Sequence, residues 1–259
     1  MTVQRIDFLG LSLDLGLTIE GICAELRRKG DLRLIGYISP SSWAVAKKNP
    51  EYKAALWQMT AIRAGGEGVA RVCRWLTGSP CPRISFDMTS LADPFFKAAI
   101  AEKASVMLIG GDPAIDENMQ EKLKFSYPEL NVVATAHGFG DLAPKIAAVM
   151  EQMPDVVIVG MGSPRQENFL LALREAGYKG LAITCGGFFD QYLAADQYYP
   201  PWVDRWNLRF AWRLYKEPQR LWRRYLIDYQ IFVWEALKAL TGKFTPARVK
   251  QMIMKEKNT

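Results

Sequence analysis

The chain is poor in the residues that build metal or redox centres. Its 259 residues include one histidine, His137, and four scattered cysteines with no Cys-x-x-Cys pair. Zinc is therefore not expected, and the cysteines are interpreted as buried thiols. No uninterrupted apolar run reaches the roughly 18–20 residues of a membrane span, and the polar N-terminus indicates no signal peptide. These absences predict a cytoplasmic protein without a membrane-spanning helix.

The composition is that of a globular, basic protein. Hydrophobic residues make up 49% of the chain and charged residues 23%. The net charge of +6 arises near the C-terminus, since from Pro201 onward thirteen lysines and arginines stand against five acidic residues. Such a basic surface favours an anionic partner, such as a nucleotide, an acidic lipid or nucleic acid. Nucleic acid is the weakest of these, because no DNA- or RNA-binding motif accompanies the basic residues.

Strand and helix patterns alternate along the first three quarters of the chain. We predict strands at residues 5–13, 32–38, 105–110, 131–136, 156–160 and 181–185. We predict helices near residues 18–29, 41–59, 66–76, 90–102, 113–125, 142–152 and 164–176. This order predicts an α/β fold with a mainly parallel, Rossmann-like sheet and helices on both faces. Ligands of such sheets lie beyond the carboxyl ends of the strands.

The most informative segment, residues 155–167, is a strand followed by a turn with two glycines that opens a helix. Ser163 and Gln166 form a predicted capping box at that helix. The free N–H groups and the positive dipole end of such a helix attract phosphate. A dinucleotide fingerprint needs a third glycine where Arg165 stands, so NAD is not expected.

Glycines also follow three other predicted strands. The strand ends are Gly110-Gly111-Asp112-Pro113, Thr135-Ala136-His137-Gly138-Phe139-Gly140, Gly160-Met161-Gly162 and Gly186-Gly187-Phe188-Phe189-Asp190. Ordinary turns account for any one of them. Together, at one edge of a sheet, they indicate a groove for a ligand that the backbone approaches closely.

After about residue 194 the sequence changes to helical segments in which aromatic residues alternate with arginines. Amphipathic rings beside cationic stems suit a membrane interface with acidic headgroups. A helical cap packed on the rest of the protein is the alternative. We therefore divide the chain into an α/β ligand-binding domain, residues 1–195, and a helical membrane-associating appendage, residues 196–259.

Together these motifs resemble a family of bacterial glycosyltransferases, the N-acetylmannosaminyl-type enzymes of wall teichoic acid, enterobacterial common antigen and exopolysaccharide assembly. The similarity covers most of the chain and is strongest over residues 106–225. The matching segments are residues 110–113, 137–139, 160–167, 186–190 and 209–225. In the last of them, Arg209-Phe210 stands in place of the family's Glu-Trp.

The resemblance implies an inverting, metal-independent transfer of a sugar from a UDP-sugar to a polyprenyl diphosphate-linked saccharide, by a peripheral protein at the cytoplasmic face of the inner membrane. The absence of an Asp-x-Asp pair fits a reaction without metal, and no cofactor is implied. The donor site is expected to comprise Arg83, Gly110, Gly111, Thr135, His137, Gly138, Phe139, Gly160, Gly162, Ser163, Arg165, Gln166, Gly187 and Asp190. The acceptor diphosphate or an anionic membrane surface is expected to meet Arg213, Arg220, Arg223 and Arg224. Within this set, Gln166 is expected at the donor sugar and Asp190 at the uridine.

The sequence departs from the family at the general base. The family has Asp-Gly-Ile-Gly-Val, with the aspartate as base, where this chain has Gly-Gly-Glu-Gly-Val at residues 65–69. A base is needed because the acceptor hydroxyl loses its proton as it attacks the anomeric carbon. Glu67 and Asp87 are the candidates, and His137 is expected to have a positioning or diphosphate-contact role instead.

The sequence is also compatible with two other functions. One is a soluble nucleotide-dependent enzyme whose tail is a structural cap. The other is a non-catalytic nucleotide-sugar or lipid-diphosphate binding subunit of a polysaccharide assembly complex. The transferred sugar, with N-acetylmannosamine, glucose or a uronic acid as candidates, and a homo-oligomeric state are also open.

Overall fold

A computed structural model describes residues 4–113, 115–194, 198–206 and 208–243. The strands are β1 (Arg5–Phe8), β2 (Leu11–Asp14), β3 (Arg33–Ile38), β4 (Ala61–Ala64), β5 (Val106–Gly110), β6 (Val132–Ala136), β7 (Val156–Gly160) and β8 (Leu181–Thr184). The helices are α1 (Ile19–Ala24), α2 (Pro40–Lys48), α3 (Pro50–Trp57), α4 (Glu67–Thr77), α5 (Ala92–Ala101), α6 (Ile115–Ser126), α7 (Ala143–Gln152), α8 (Arg165–Glu175), α9 (Phe188–Ala194), α10 (Pro201–Arg205), α11 (Arg209–Lys216), α12 (Pro218–Arg223) and α13 (Tyr229–Lys238).

Six strands form one parallel sheet in the order β4-β3-β8-β7-β5-β6. Successive side chains of each strand point to opposite faces. Leu34 belongs to a buried cluster that includes residues of α2, α3, α4, α7, α8 and α13. Ile35 belongs to a second cluster that includes residues of α1, α5, α6 and α9. The predicted α/β fold, with helices on both faces of a parallel sheet, is confirmed.

The predicted strand at residues 5–13 is wrong in its extent. Leu9 and Gly10 have positive φ angles of 51° and 83°, and the chain reverses there into the antiparallel hairpin of β1 and β2. Strand β4, at the edge of the parallel sheet, was not predicted. Its Arg63 interrupts the apolar pattern, although the guanidinium is buried and donates to the carbonyls of Asp14 and Pro82.

The predicted helix at residues 41–59 is two helices, α2 and α3. The break falls at Asn49, since Pro50 has no N–H to continue the hydrogen-bond ladder of the first helix. Asn49 Oδ1 accepts a hydrogen bond from Tyr52 N at 2.9 Å and so caps the second helix. Helix α9 is a further element that the sequence did not predict.

Helix α13 packs back onto the α/β core. Phe232 of α13 lies edge-on against Trp43 of α2, with ring centroids 5.5 Å apart, and Ala236 and Ala239 are buried in the same cluster. Large apolar side chains elsewhere in α10 to α13 are exposed, among them Trp202, Trp206, Phe210, Tyr215, Trp222, Val233, Trp234 and Leu237. Within the described ranges, no helix has the length and hydropathy needed to cross a bilayer.

Candidate active site

A groove of about 1400 Å³ runs along the carboxyl edge of the parallel sheet. The strand ends contribute Ser39, Gly65, Gly66, Gly111, Gly138, Gly160, Gly162, Gly186 and Gly187 to its lining. Helices α4, α8, α9, α11 and α13 contribute side chains to its walls. The groove therefore lies where a parallel α/β sheet is expected to bind its ligand.

The groove brings together most of the residues expected at the site. These are Glu67, Arg83, Asp87, Gly111, Gly138, Phe139, Gly160, Gly162, Ser163, Arg165, Gln166, Gly187, Asp190 and Arg213. Gly110, Thr135, His137 and Arg223 are not part of the lining. The side chains of Arg220 and Arg224 lie outside the described residues.

Two of the expected residues outside the lining make contacts that shape its surroundings. His137 Nδ1 accepts a hydrogen bond from Phe139 N at 3.3 Å, which holds the turn that places Phe139 in the groove. The buried Lys145 donates to Phe139 O at 2.7 Å and so holds the same turn. Thr135 Oγ1 accepts from Gln120 Nε2 at 3.0 Å, on an exposed part of the strand.

The strand-end glycines fall into two groups. A Cβ atom at Gly160 would lie 2.8 Å from Cys185 Sγ, and one at Gly110 would lie 2.4 Å from Gly160 O. These two glycines let neighbouring strand ends pack closely. Gly162 and Gly186 have positive φ angles of 75° and 58°, and a Cβ atom there would meet nothing within 4 Å. The backbone at Gly162 and Gly186 is therefore open to a ligand in the groove.

The predicted capping box at α8 is wrong. The helix begins at Arg165, and Pro164 at the N-cap position offers no capping side chain. Ser163 Oγ and Gln166 Nε2 instead donate to Glu167 Oε1, at 2.9 Å and 2.8 Å. Burial raises the pKa of Glu167 above its ordinary value, against the hydrogen bonds from Gln166 and Ser163, which lower it. This buried cluster fixes the Gln166 amide at the groove.

Gln166 is 4% exposed and lines the groove. Its Oε1 atom has no hydrogen-bond partner among the described residues. A buried amide oxygen without a partner is costly, and a hydroxyl group of a ligand would satisfy it.

Asp87 joins two arginines from distant parts of the chain. Arg83 Nη1 and Arg209 Nη1 lie 3.1 Å and 2.9 Å from Asp87 Oδ2. Ser85 also donates to Oδ2, and Thr89 Oγ1 donates to Oδ1 at 2.6 Å. Burial favours the neutral acid, but the two arginines and the hydroxyl groups outweigh it and lower the pKa of Asp87 below its ordinary value. Asp87 therefore stays ionised and holds both guanidinium groups at the groove.

Arg209 is a groove residue that sequence reasoning missed. Its guanidinium lies over the Tyr199 ring, 4.6 Å from the centroid, as well as against Asp87. The signal was present in the sequence, because Arg209 is the position at which the chain departs from the family's glutamate. Its partner Asp87 lies 122 residues away, so no local spacing indicates the pairing.

Glu67 is the first residue of α4 and lines the groove. Its carboxylate lies at the positive end of the helix dipole. Its Oε1 accepts from Arg74 Nη2 at 2.8 Å and lies 3.7 Å from Arg71 Nη2. Both contacts use Oε1, and no other residue described in the structure donates a hydrogen bond to Oε2.

The backbone at Gly65 explains why no aspartate stands there. A Cβ atom at this position would lie 2.8 Å from Tyr37 Cβ, closer than side-chain carbons approach one another. Gly65 N also donates to Ile38 O at 2.9 Å, which holds the two strand ends together. Any side chain at position 65 therefore requires β3 and β4 to move apart.

The described residues contain no group of three or more histidine, cysteine or carboxylate side chains that could hold a metal ion. Cys73, Cys81 and Cys185 are buried, as expected from the sequence, and Cys23 is half-buried. Burial raises the pKa of the Cys23 thiol to about 11. The positive charges in the groove come instead from arginines, namely Arg71, Arg83, Arg165, Arg209 and Arg213.

The fold and the groove define an α/β protein whose strand ends are lined by glycine turns and arginines, a combination that suits an anionic ligand. Comparison with known families is more specific. A model described as the glycosyl transferase WecG/TagA/CpsF family matches residues 6–245, and the chain belongs to this family of glycosyltransferases.

Curated relatives resemble most of the chain. A UDP-Gal:α-D-GlcNAc-diphosphoundecaprenol β-1,4-galactosyltransferase from Shigella boydii is 27% identical over 213 residues, covering 80% of this chain and 87% of the relative. An N-acetylglucosaminyldiphosphoundecaprenol N-acetyl-β-D-mannosaminyltransferase from Bacillus spizizenii is 32% identical over 188 residues, 70% of each chain. A Staphylococcus aureus enzyme of the same name is 24% identical over 241 residues, covering 91% of this chain and 93% of the relative. The names differ in the sugar transferred and share a diphosphoundecaprenol-linked acceptor.

Proposed function

We propose that the protein transfers a sugar from a UDP-sugar to a saccharide on a polyprenyl diphosphate, with inversion and without a metal ion. One observation carries this proposal. A single groove at the strand ends combines open glycine turns, arginines and a carboxylate at a helix N-terminus. The names of the relatives support the lipid-linked acceptor, and that of the Shigella boydii enzyme supports the UDP-sugar donor.

The donor diphosphate is proposed to bind at the open turns around Gly162 and Gly186. Their backbone N–H groups and the N-terminus of α8 attract phosphate. Arg165 lines the same part of the groove, and Arg213 Nη2 would lie 3.3 Å from a Cβ atom at Gly187. These two guanidinium groups stabilise the charge that develops on the leaving UDP. Asp190 is proposed to contact the uridine and Gln166 the donor sugar.

The acceptor hydroxyl is proposed to attack the anomeric carbon from the side opposite UDP, so that the configuration inverts. The new glycosidic bond forms as the bond to UDP breaks, and the hydroxyl proton passes to a carboxylate. Glu67 Oε2 is proposed to accept it. Asp87 is proposed to hold Arg83 and Arg209 in place, because its two oxygens are already engaged by five donor groups, two of them from Thr89.

UDP binding tests the diphosphate site. We expect UDP to bind with the same affinity in EDTA and in millimolar magnesium, since arginines and backbone N–H groups neutralise the diphosphate. Isothermal titration calorimetry measures both conditions. Binding that appears only with magnesium would contradict the proposed site.

Gln166→Ala is expected to lower turnover about 10–100-fold and to change UDP affinity less than twofold. The reason is that the lost amide contacts the sugar in the transition state and not the nucleotide. Steady-state kinetics and UDP titration give the two numbers. Gln152→Ala, at the exposed end of α7, is the control and should match the wild type. Equal losses of turnover and UDP affinity would assign Gln166 to the nucleotide.

The appendage, residues 196–259, is proposed to bind the cytoplasmic face of the inner membrane. The exposed aromatic side chains of α10 to α12 and the positive charge of this segment support it. Each basic residue near an anionic surface contributes about 1 kcal/mol, so a few suffice for reversible binding that salt weakens.

Replacing Arg220, Arg223 and Arg224 by glutamate should therefore release the protein from acidic liposomes, as sedimentation would show. The matched control replaces three exposed lysines of the α/β part, Lys103, Lys124 and Lys179, by glutamate. It therefore changes the net charge by the same amount. The control should stay bound. Equal partitioning of the two triple variants would indicate that the arginines belong to a packed cap.

A further inference from the structure

The groove continues beyond its polar edge into a second, apolar part between α4 and α13. Val72 and Trp75 of α4 line one side. Val233 and Leu237 of α13, with Leu240 just after this helix, line the other. Trp75 is 60% exposed and Leu237 48% exposed. Apolar side chains that line a concave surface and remain exposed indicate a binding site for an apolar ligand.

Helix α13 packs on the core through one side and leaves the neighbouring side exposed along the groove. Phe232 and Ala236 are buried in the core cluster, with Phe232 against Trp43 of α2, and both also border the groove. Glu235 is half-buried, and its carboxylate lies 2.6 Å from Nζ of Lys47 in α2. Val233 and Leu237 are four residues apart and lie together on the remaining side, toward the groove.

Helix α4 arranges three different chemical groups along the same groove. Glu67, Arg71 and Trp75 follow one another at intervals of four residues, and all three line the groove. Side chains at this spacing lie above one another on one side of a helix, with a rise of about 6 Å per step. The groove therefore presents a carboxylate, a guanidinium group and an aromatic ring in that order, leading away from the strand ends.

We propose that this wall of α4 and α13 binds the lipid-linked acceptor in an extended conformation. The attacking sugar lies at Glu67, the diphosphate pairs with Arg71, and the first isoprenyl units pack on Trp75, Leu237 and Leu240. The inference rests on the proposed function, which supplies a ligand with a sugar, a diphosphate and a hydrocarbon chain in this order. The wall is continuous with the site of transfer, so the same bound lipid reaches the proposed base.

Direct binding tests the wall without any turnover. The probes are farnesyl diphosphate, which carries the head and a short prenyl chain, and inorganic diphosphate, which carries the head alone. In wild-type protein saturated with UDP, which fills the proposed donor diphosphate site, farnesyl diphosphate should bind at least 10-fold more tightly than inorganic diphosphate by calorimetry. Trp75→Ala and Leu237→Ser should each weaken the binding of farnesyl diphosphate about 10-fold, since each removes apolar surface that the bound prenyl chain would cover. Both variants should bind inorganic diphosphate as the wild type does.

Two further variants complete the design. Arg71→Ala should weaken both probes equally, because it acts on the diphosphate. Trp234→Ala, an exposed tryptophan on the side of α13 where Lys238 lies over its ring, should change neither. Wild-type affinity for farnesyl diphosphate in both Trp75→Ala and Leu237→Ser would overturn the proposal. Thermal unfolding of each variant shows whether it folds, and Leu237→Ala is the milder replacement if Leu237→Ser does not.

Kinetics separate failure of the wall from failure of the proposed function. With acceptors of increasing prenyl length, Trp75→Ala should raise KM about 10-fold for long chains, leave it unchanged for an acceptor without a prenyl chain, and leave kcat unchanged. Selective binding of farnesyl diphosphate without turnover of any UDP-sugar would retain the wall and reject the proposed function. Normal turnover with an unchanged KM would reject the wall alone. Loss of vesicle binding in Trp75→Ala with unchanged farnesyl diphosphate affinity would also reject it, because the face would then insert into the bilayer.

Discussion

Glu67→Gln should lower turnover by about 10²–10⁴-fold, the usual contribution of a general base. Glutamine keeps the size of the side chain and its place at the start of α4, but it cannot accept the proton of the acceptor hydroxyl. UDP affinity should stay within twofold of the wild type, since the diphosphate is proposed to bind at the turns around Gly162 and Gly186. Single-turnover kinetics and UDP titration measure the two effects.

Two companion variants identify the base more sharply. Gly65→Asp in the Glu67→Gln protein should not restore activity, because a Cβ atom at position 65 would lie 2.8 Å from Tyr37 Cβ. Recovery in this double variant would show that the strand ends relax and that the family position still serves. A large loss of turnover in Asp87→Asn, with no loss in Glu67→Gln, would identify Asp87 as the general base. Full activity in both single variants would mean that neither carboxylate is the base.

Asp87→Asn should destabilise the protein by about 3 kcal/mol, within the range for removing one partner of a buried ion pair. The carboxylate is nine-tenths buried and holds Arg83 and Arg209 through Oδ2. An asparagine leaves both guanidinium groups without their countercharge. For a chain of this size the melting temperature should fall by roughly 6–12 °C, as thermal unfolding at neutral pH would show. As the control, Glu102→Gln breaks a more exposed pair with Arg27 and should cost less than about 1 kcal/mol.

The pH dependence of the protein's stability should reflect the lowered pKa of Asp87. A carboxyl group whose pKa is lower in the folded than in the unfolded protein stabilises the fold above the unfolded value, about 4. That stabilisation is lost as the pH falls below about 4 and through the folded pKa. The difference in stability between the wild type and Asp87→Asn should therefore be constant from pH 6 to pH 8 and shrink toward pH 3. A difference that does not change with pH would contradict the ion-pair explanation.

The sequence predicted the parts of the fold that depend on local pattern. Strand β7 was placed with its observed bounds, because its apolar β-branched run is what a buried parallel strand requires. Strand β4 was missed since Arg63, which is fully buried, has its partners in the Asp14 and Pro82 carbonyls far along the chain. Burial of a charged residue by remote backbone carbonyls leaves no periodic signal in the sequence.

In the candidate site, too, the residues within one local segment were predicted and those brought together from distant segments were not. Gly162 and Gln166 were predicted from one continuous segment, and both line the groove. The pairing of Arg209 with Asp87 spans 122 residues and is formed by the return of the C-terminal helices to the sheet. The wall of α4 and α13 depends on the same return. Contacts of this kind are set by tertiary packing and not by local spacing, which is why the sequence did not predict them.

The most direct test of the proposed function is release of UDP from a panel of UDP-sugars, with a short-chain prenyl diphosphate-linked sugar as acceptor and EDTA present. The proposed function predicts that at least one UDP-sugar releases UDP only when the acceptor is added, and that Glu67→Gln abolishes most of this release. Tight UDP binding without acceptor-dependent release from any UDP-sugar would contradict it, and would favour a protein that binds its nucleotide-sugar without transferring the sugar.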